Sequence, residues 1–292
     1  MTPRLKTSQS QSYNNKIYRF GDVSHDVTET PLIMGILNVT PDSFSDGGVY
    51  LDPHRAADHA IQMTANGADI IDIGAQTSKP GSLEISVEEE LKRLEPVLKL
   101  LKQKKVAPIS IDTSKFNVMQ MGAHYGVDII NDIHATWQDD RIPIFISQNK
   151  LSLISMHMRG TPSTMQADTS YEDLNSEIKS FFTRTLARLL DCGVSAERLA
   201  FDPGIGFGKS PTDCLQILRD ISDLTIEQHA IVIGLSKKSF INKCFGLDDG
   251  ASKEANNLLH LCALQNGASI LRVHDIIDAV LVRDIYKKTR KL

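Results

Sequence analysis

The chain has 292 residues, of which 41% are hydrophobic, and a formal net charge of -4. That length supports a sizeable core, and the mildly acidic balance argues against nucleic acid or an anionic membrane as the main partner. The four cysteines, Cys192, Cys214, Cys244 and Cys262, are widely spaced with no Cys-x-x-Cys, which speaks against a zinc site or a disulfide framework and fits reduced thiols in a cytoplasmic enzyme.

The chain opens on "MTPRLKTSQSQSYNNK", polar and free of acids. Residues 1–30 are expected to be a polar N-terminal extension, partly disordered, ahead of one folded domain over 31–292. No uninterrupted apolar run approaches the roughly 18 residues of a membrane helix. From residue 32 onward, short runs rich in isoleucine, valine and leucine recur: "LIMGIL" at 32–37, "DIIDIG" at 69–74, "PISID" at 108–112, "VDIIND" at 127–132, "LSLISMH" at 151–157, "RLAFD" at 198–202, "AIVIGLS" at 230–236 and "ASILRV" at 268–273. Most are continuous rather than alternating, which suits strands of a parallel sheet covered on both faces.

Helical patterns fall between them. "PHRAADHAIQMTANG" begins with proline and ends in glycine, "SVEEELKRLEPVLKLLK" has a capping serine, acids in its first turn and lysines in its last, and "SYEDLNSEIKSFFTRTLARLLDCG" and "KEANNLLHLCALQNG" both end in glycine. Eight strand candidates alternating with helices, with no linker between them, predict a single (β/α)8 TIM barrel with a parallel eight-stranded core. An open doubly wound sheet is the alternative that periodicity leaves standing.

In a barrel, residues at the strand ends surround the active face. Here they are Asn38, Asp72, Asp112, Asn131, Asp202, then Ser236, Lys237 and Lys238, then Arg272 and His274. Singly, an Asp or Asn at such a place often caps the next helix. Together they make a ring of acceptors and donors suited to a flat heterocycle with several N–H groups, such as a 2-amino-4-oxo ring, with a lysine to donate to the ring's carbonyl or nitrogen. Arg272 and His274 alternate with Val273, so they share one strand face and make a candidate phosphate site. "FDPGIGFGKSP" at 201–211 looks like a phosphate cradle, but its spacing fits neither a P-loop nor a dinucleotide fingerprint. Its significant residue is Asp202, and Lys209 is expected at the surface. The connections after the first two strands are long for a barrel, as lids over an active face often are.

The stretches "MGILNVTPDSFSDGG", "GADIIDIGAQTSKPG", "SIDTSK", "IINDI", "MHMRGTPSTMQ", "FDPGIGFGK", "GLSKKSFI" and "ILRVHDI", spanning 32–276, resemble those of dihydropteroate synthases. The resemblance implies a sulfonamide-target transferase of folate biosynthesis that joins 6-hydroxymethyl-7,8-dihydropterin pyrophosphate to p-aminobenzoate, releasing pyrophosphate with Mg2+ assisting. It implies pterin contacts at Asp112, Asn131, Asp202 and Lys238. Pyrophosphate contacts fall on Asn38, Ser78, Lys79, Arg272 and His274, and p-aminobenzoate contacts on Phe44, Pro80 and Ser239. Asn38 is also implied as the metal ligand, and Asp112, Lys238, Arg272 and His274 as the catalytic set. A homodimer is implied as well.

The second long connection departs from the family's Gly-Gly-Glu-Ser-Thr-Arg-Pro-Gly. Ala75 and Gln76 replace glycine and glutamate, and Lys79 replaces an arginine whose planar fork it lacks. Lys237 also stands for an arginine, and "HATW" at 134–137 replaces a small Ser-Gly pair. A packed core or rim position is expected for His157. Two other readings are a catalytically weak or silent pterin-binding paralogue and a pterin-dependent methyltransferase. The latter would need neither "TPDSF" nor the Arg272/His274 pair.

Overall fold

The computed structural model describes residues 15–40, 52–77 and 81–290. Its strands are β1 (Ile17–Phe20), β2 (Val23–Asp26), β3 (Leu32–Asn38), β4 (Ile70–Gly74), β5 (Ile109–Asp112), β6 (Ile129–Asp132), β7 (Ser152–Met156), β8 (Leu199–Asp202), β9 (Ala230–Ile233) and β10 (Ile270–Val273). The described helices are α1 (Pro53–Ala65), α2 (Val87–Leu101), α3 (Phe116–Tyr125), α4 (Arg141–Gln148), α5 (Leu174–Asp191), α6 (Pro211–Arg219), α7 (Ile221–Leu224), α8 (Phe240–Phe245), α9 (Asp249–Gln265) and α10 (Ile276–Thr289). Strands β3 to β10 pair in sequence and close, with β10 bonded back to β3. Every pairing in the barrel is parallel. The fold is the TIM barrel, and the open sheet is excluded.

Strand alternation explains the continuous apolar runs. Met34, Ile70, Ile129, Ile154, Ala200, Val232 and Ile270 pack together inside the barrel. Their neighbours Ile33, Leu37, Ile71, Ile73, Ile111, Ile130 and Leu153 belong to a second core beneath the helices. The helices start where their capping chemistry puts them. Asp52 accepts from His54 N and Arg55 N ahead of Pro53, Ser86 accepts from Glu89 N, and Ser210 and Asp213 form a capping box.

Residues 17–26, read from sequence as part of a partly disordered extension, instead form a β-hairpin. Gly21, at φ 55°, makes the tight turn with Asp22. Tyr18 and Phe20 are buried and pack with Leu32, Met34, Ile70 and Ile129, closing the end of the barrel where the strands begin. Ser152 Oγ donates to Arg19 O, Arg198 Nη2 donates to Gly21 O at 2.9 Å, and His25 stacks on Phe20 at 4.3 Å. The polar character of the segment belongs to the outward-facing half of each short strand. Tyr18→Ala is expected to lower the unfolding free energy by about 3–5 kcal/mol, because an aromatic is removed from a closed core. A urea titration checks this, and an unchanged midpoint would show that the hairpin does not contribute to the barrel's stability.

Candidate active site

The C-terminal ends of the strands gather the polar residues into one pocket. Asp72, Asn131 and Arg272 point inward from β4, β6 and β10, on the same strand faces as the interior apolar residues two positions earlier. Arg272 lies at their centre. Its Nε donates to Asp72 Oδ2 at 2.7 Å and its Nη2 to Asp112 Oδ2 at 2.6 Å. Asn131 Nδ2 donates to the same Asp72 oxygen at 3.1 Å. Asp72 is fully buried, and its Oδ1 has no hydrogen-bond partner among the described residues. The absence of a side chain at Gly74 makes room for Asp112, whose Cβ would lie 3.3 Å from a Cβ at that position.

Electrostatics follow from this packing. Burial pushes the Asp112 carboxyl up to about 7, against the pull of Arg272 and with a further push from Asp72. Despite desolvation, the Arg272 guanidinium is held above its ordinary value by Asp72 and Asp112. Two of the five N–H groups of Arg272 serve carboxylates, which leaves three for a bound anion.

Across the pocket, Asp202 is buried at the end of β8, and its Oδ1 accepts from Gly204 N at 2.7 Å. Burial raises its carboxyl above the usual range, while Lys238 opposes the shift. Lys238 donates to Ile205 O and lies over the Phe207 ring at 4.7 Å. Burial lowers its ammonium to about 8, with Asp202 pulling the other way. Ser239 is exposed and N-caps α8 without a side-chain capping bond, and that helix has only six residues. A helix that short has a weak dipole, so an anion contact at Ser239 would rest on the hydroxyl itself. His274 N donates to Ser236 Oγ at 3.3 Å, just past β10, and Asn38 ends β3. Phe44, Ser78, Lys79 and Pro80 lie outside the described residues.

Two residues differ from their sequence-based reading. Asp72, named in the strand-end ring but given no contact of its own, is the hub of the network. Lys209, expected at the surface, is 3% exposed and bonded to His157. His157 is buried, as a packed histidine should be. Gly204 stands at φ 69°, and a Cβ there would fall 2.0 Å from His157 O. Gly204→Ala is expected to cost at least about 3 kcal/mol, since left-handed strain adds to a clash with backbone. A stability loss well under that, read from denaturant midpoints, would mean that the 203–208 loop can move aside.

A family described as pterin binding enzyme matches residues 34–274. The chain belongs to the pterin-binding enzyme family. It is 36% identical over 268 residues to the dihydropteroate synthase of Escherichia coli, covering 92% of this chain and 93% of that one. Among solved structures, the Yersinia pestis dihydropteroate synthase with a sulfonamide drug complex superposes with a TM-score of 0.87 at 35% identity, covering 94% of this chain and 100% of that one. The Xanthomonas albilineans dihydropteroate synthase with 4-aminobenzoic acid gives 0.87 at 32% identity, over 95% of this chain and 99% of that one. Membership of this group of dihydropteroate synthases makes the chain a transferase of folate synthesis.

Several described positions that depart from the family pattern have local partners. Gln76 Oε1 accepts from Lys115 Nζ at 3.0 Å and from Ile85 N at 3.3 Å, and Lys115 also pairs with the buried Glu90 at 2.7 Å. A neutral amide thus ties the base of the second connection without adding another carboxylate beside Glu90 and Glu84. Ala135 and Thr136, in "HATW", are left-handed at φ 53° and 63°. Asp132 Oδ2 accepts from Thr136 N at 2.7 Å, and Arg188 donates to Thr136 O and Oγ1, which holds that conformation. Trp137 donates to Thr185 Oγ1 and stacks with Arg188, so it packs at the rim.

Proposed function

We propose that this enzyme condenses 6-hydroxymethyl-7,8-dihydropterin pyrophosphate with p-aminobenzoate, giving 7,8-dihydropteroate and pyrophosphate. The observation that carries the reading is the convergence of Asp72, Asp112, Asn131, Asp202, Lys238 and Arg272 in one buried pocket. Asp202 and Asn131 would meet the N–H and acceptor edge of the pterin, and Lys238 its carbonyl or ring nitrogen. His274 and the remaining N–H groups of Arg272 would receive the departing pyrophosphate, with Asn38 beside them. As that group leaves, Asp112 would steady the charge left on the pterin methylene, and the arylamine attacks the carbon. Rate then comes from electrostatic stabilisation and positioning, and no protein nucleophile is needed. Ser239, Phe44 and Pro80 would contact p-aminobenzoate, and Ser78 and Lys79 the pyrophosphate.

No group of three or more His, Cys, Asp or Glu among the described residues could hold a metal ion. Asn38, at the end of β3, offers a neutral oxygen that would ligate an ion brought by the diphosphate, since Mg2+ keeps waters and substrate oxygens in its shell. Bound there, Mg2+ would neutralise charge on the pyrophosphate.

A second copy of the chain is the expected partner. Leu258 on α9 and Ile277, Leu281 and Ile285 on α10 are exposed aliphatics, the last three spaced by four on one helical face. Sedimentation that gives a monomer at micromolar concentration would remove this part. No described helix is long and apolar enough to cross a membrane. The free cysteines support a cytoplasmic location.

Expression in a folate-requiring cell that lacks its own synthase tests the activity, and rescue is expected. Soluble protein without rescue would favour the silent pterin-binding paralogue. Titration first with pterin pyrophosphate and then with p-aminobenzoate would find the failing step.

A further inference from the structure

One buried lysine has no part in the chemistry above, and burial lowers its ammonium to about 7. Lys209 Nζ donates to Phe207 O at 3.1 Å and to His157 O at 3.3 Å, and lies 3.0 Å from His157 Nδ1. In its charged form Lys209 has three N–H groups, and these are three acceptors once His157 is neutral with its ring proton on Nε2. Burial, with Lys209 and Arg159 adjacent, lowers the imidazole to about 3, so it is neutral at physiological pH.

The partners of Lys209 lie on two segments, the exit from β7 and the loop after β8. The same segments meet where His157 N donates to Asp202 O at 2.9 Å. They meet again where a Cβ on Gly208 would come within 2.8 Å of Arg159 O. On its other side the loop serves the pocket directly. Gly204 N holds Asp202 Oδ1, and Ile205 O holds the Lys238 ammonium. One short loop therefore orients an acid and a base whose side chains face the same cavity.

We propose that Lys209 is a positioning residue of the pterin site, pinning the 203–208 loop against the end of β7 and so fixing the Asp202 carboxylate and the Lys238 ammonium. The proposal rests on the reading of Asp202 and Lys238 as pterin contacts. It makes the lysine of "GFGK" a brace behind the ring rather than a ligand of phosphate.

The test compares Lys209→Met, Lys209→Gln and Asp202→Ala with the wild type by calorimetric titration with pterin pyrophosphate and by steady-state kinetics. Lys209→Met removes all three donors, and is expected to weaken pterin binding roughly tenfold while leaving KM for p-aminobenzoate, at saturating pterin, within about twofold. Lys209→Gln keeps two donors on a shorter stem and should fall between. Unchanged pterin affinity in Lys209→Met beside a weakened Asp202→Ala would overturn the positioning role and leave the pocket intact. Unchanged affinity in both would overturn the pocket reading and the positioning role with it. Equal losses for both substrates would mark general loosening, which also overturns the proposal. If Lys209→Met does not fold, Lys209→Gln carries the same comparison.

Discussion

Asp202→Ala should weaken pterin binding by two to three orders of magnitude, about 3–4 kcal/mol, because the ring's N–H donors would be buried without their acceptor. The carboxylate is 8% exposed, and one of its oxygens is already spent on Gly204 N. The other oxygen is left for a ligand, and Lys238 is the main charge that opposes its neutralisation by burial. Asp202→Asn separates two causes of loss. Its amide oxygen can still accept from Gly204 N, so the loop keeps its anchor, while its NH2 would confront the ring's donors. A loss in Asp202→Asn as large as in Asp202→Ala, measured by titration, therefore points to ligand contact. Native affinity in both would take Asp202 out of the site.

The second large effect is expected at Arg272. Arg272→Met leaves Asp72 and Asp112 facing one another without the guanidinium that bridges them at 2.7 and 2.6 Å. Turnover should fall by at least about a thousandfold, since both charge stabilisation and the geometry of two carboxylates are lost. The pH dependence should move as well. In the wild type, Asp112 has its carboxyl raised to about 7, above the unfolded value of 3.8. The folded state thus holds a proton that the unfolded chain has lost between those values. This group's contribution to stability is fully present below pH 3.8 and is lost as pH rises through 7. Without Arg272 the folded value climbs further, so the loss continues into more alkaline solution. Denaturant midpoints from pH 5 to 9 check this, and parallel profiles for variant and wild type would show that Arg272 does not govern Asp112.

The barrel was legible because each strand carries apolar side chains on both faces, and because the longer helices read from sequence announce an end with a capping residue or a glycine. That Asn131 and Asp202 stand at strand ends, with Lys238 in the loop after β9, was legible because a strand end in such a barrel is a defined place. The interior hub was harder to see. Asp72 is one acid inside "DIIDIG", and only the closed register brings it under Arg272, 200 residues away. Lys209 was misjudged because a lysine after a glycine loop is normally solvated. Nothing local in sequence shows that His157, 52 residues earlier, supplies its acceptors. The hairpin at 17–26 was within reach, since "YRFGDVSH" alternates about a Gly-Asp turn, but its strands are only four residues each and sit in polar surroundings.

That hairpin also decides how the molecule can be handled. It stoppers the floor of the barrel, while every described residue assigned to substrate leaves from the roof. A tether or carrier joined ahead of Lys16 would hang beneath the floor and leave the roof facing solution. Immobilisation by the front end should therefore preserve ligand exchange, which makes that end the natural point of attachment for surface-based screening of small inhibitors.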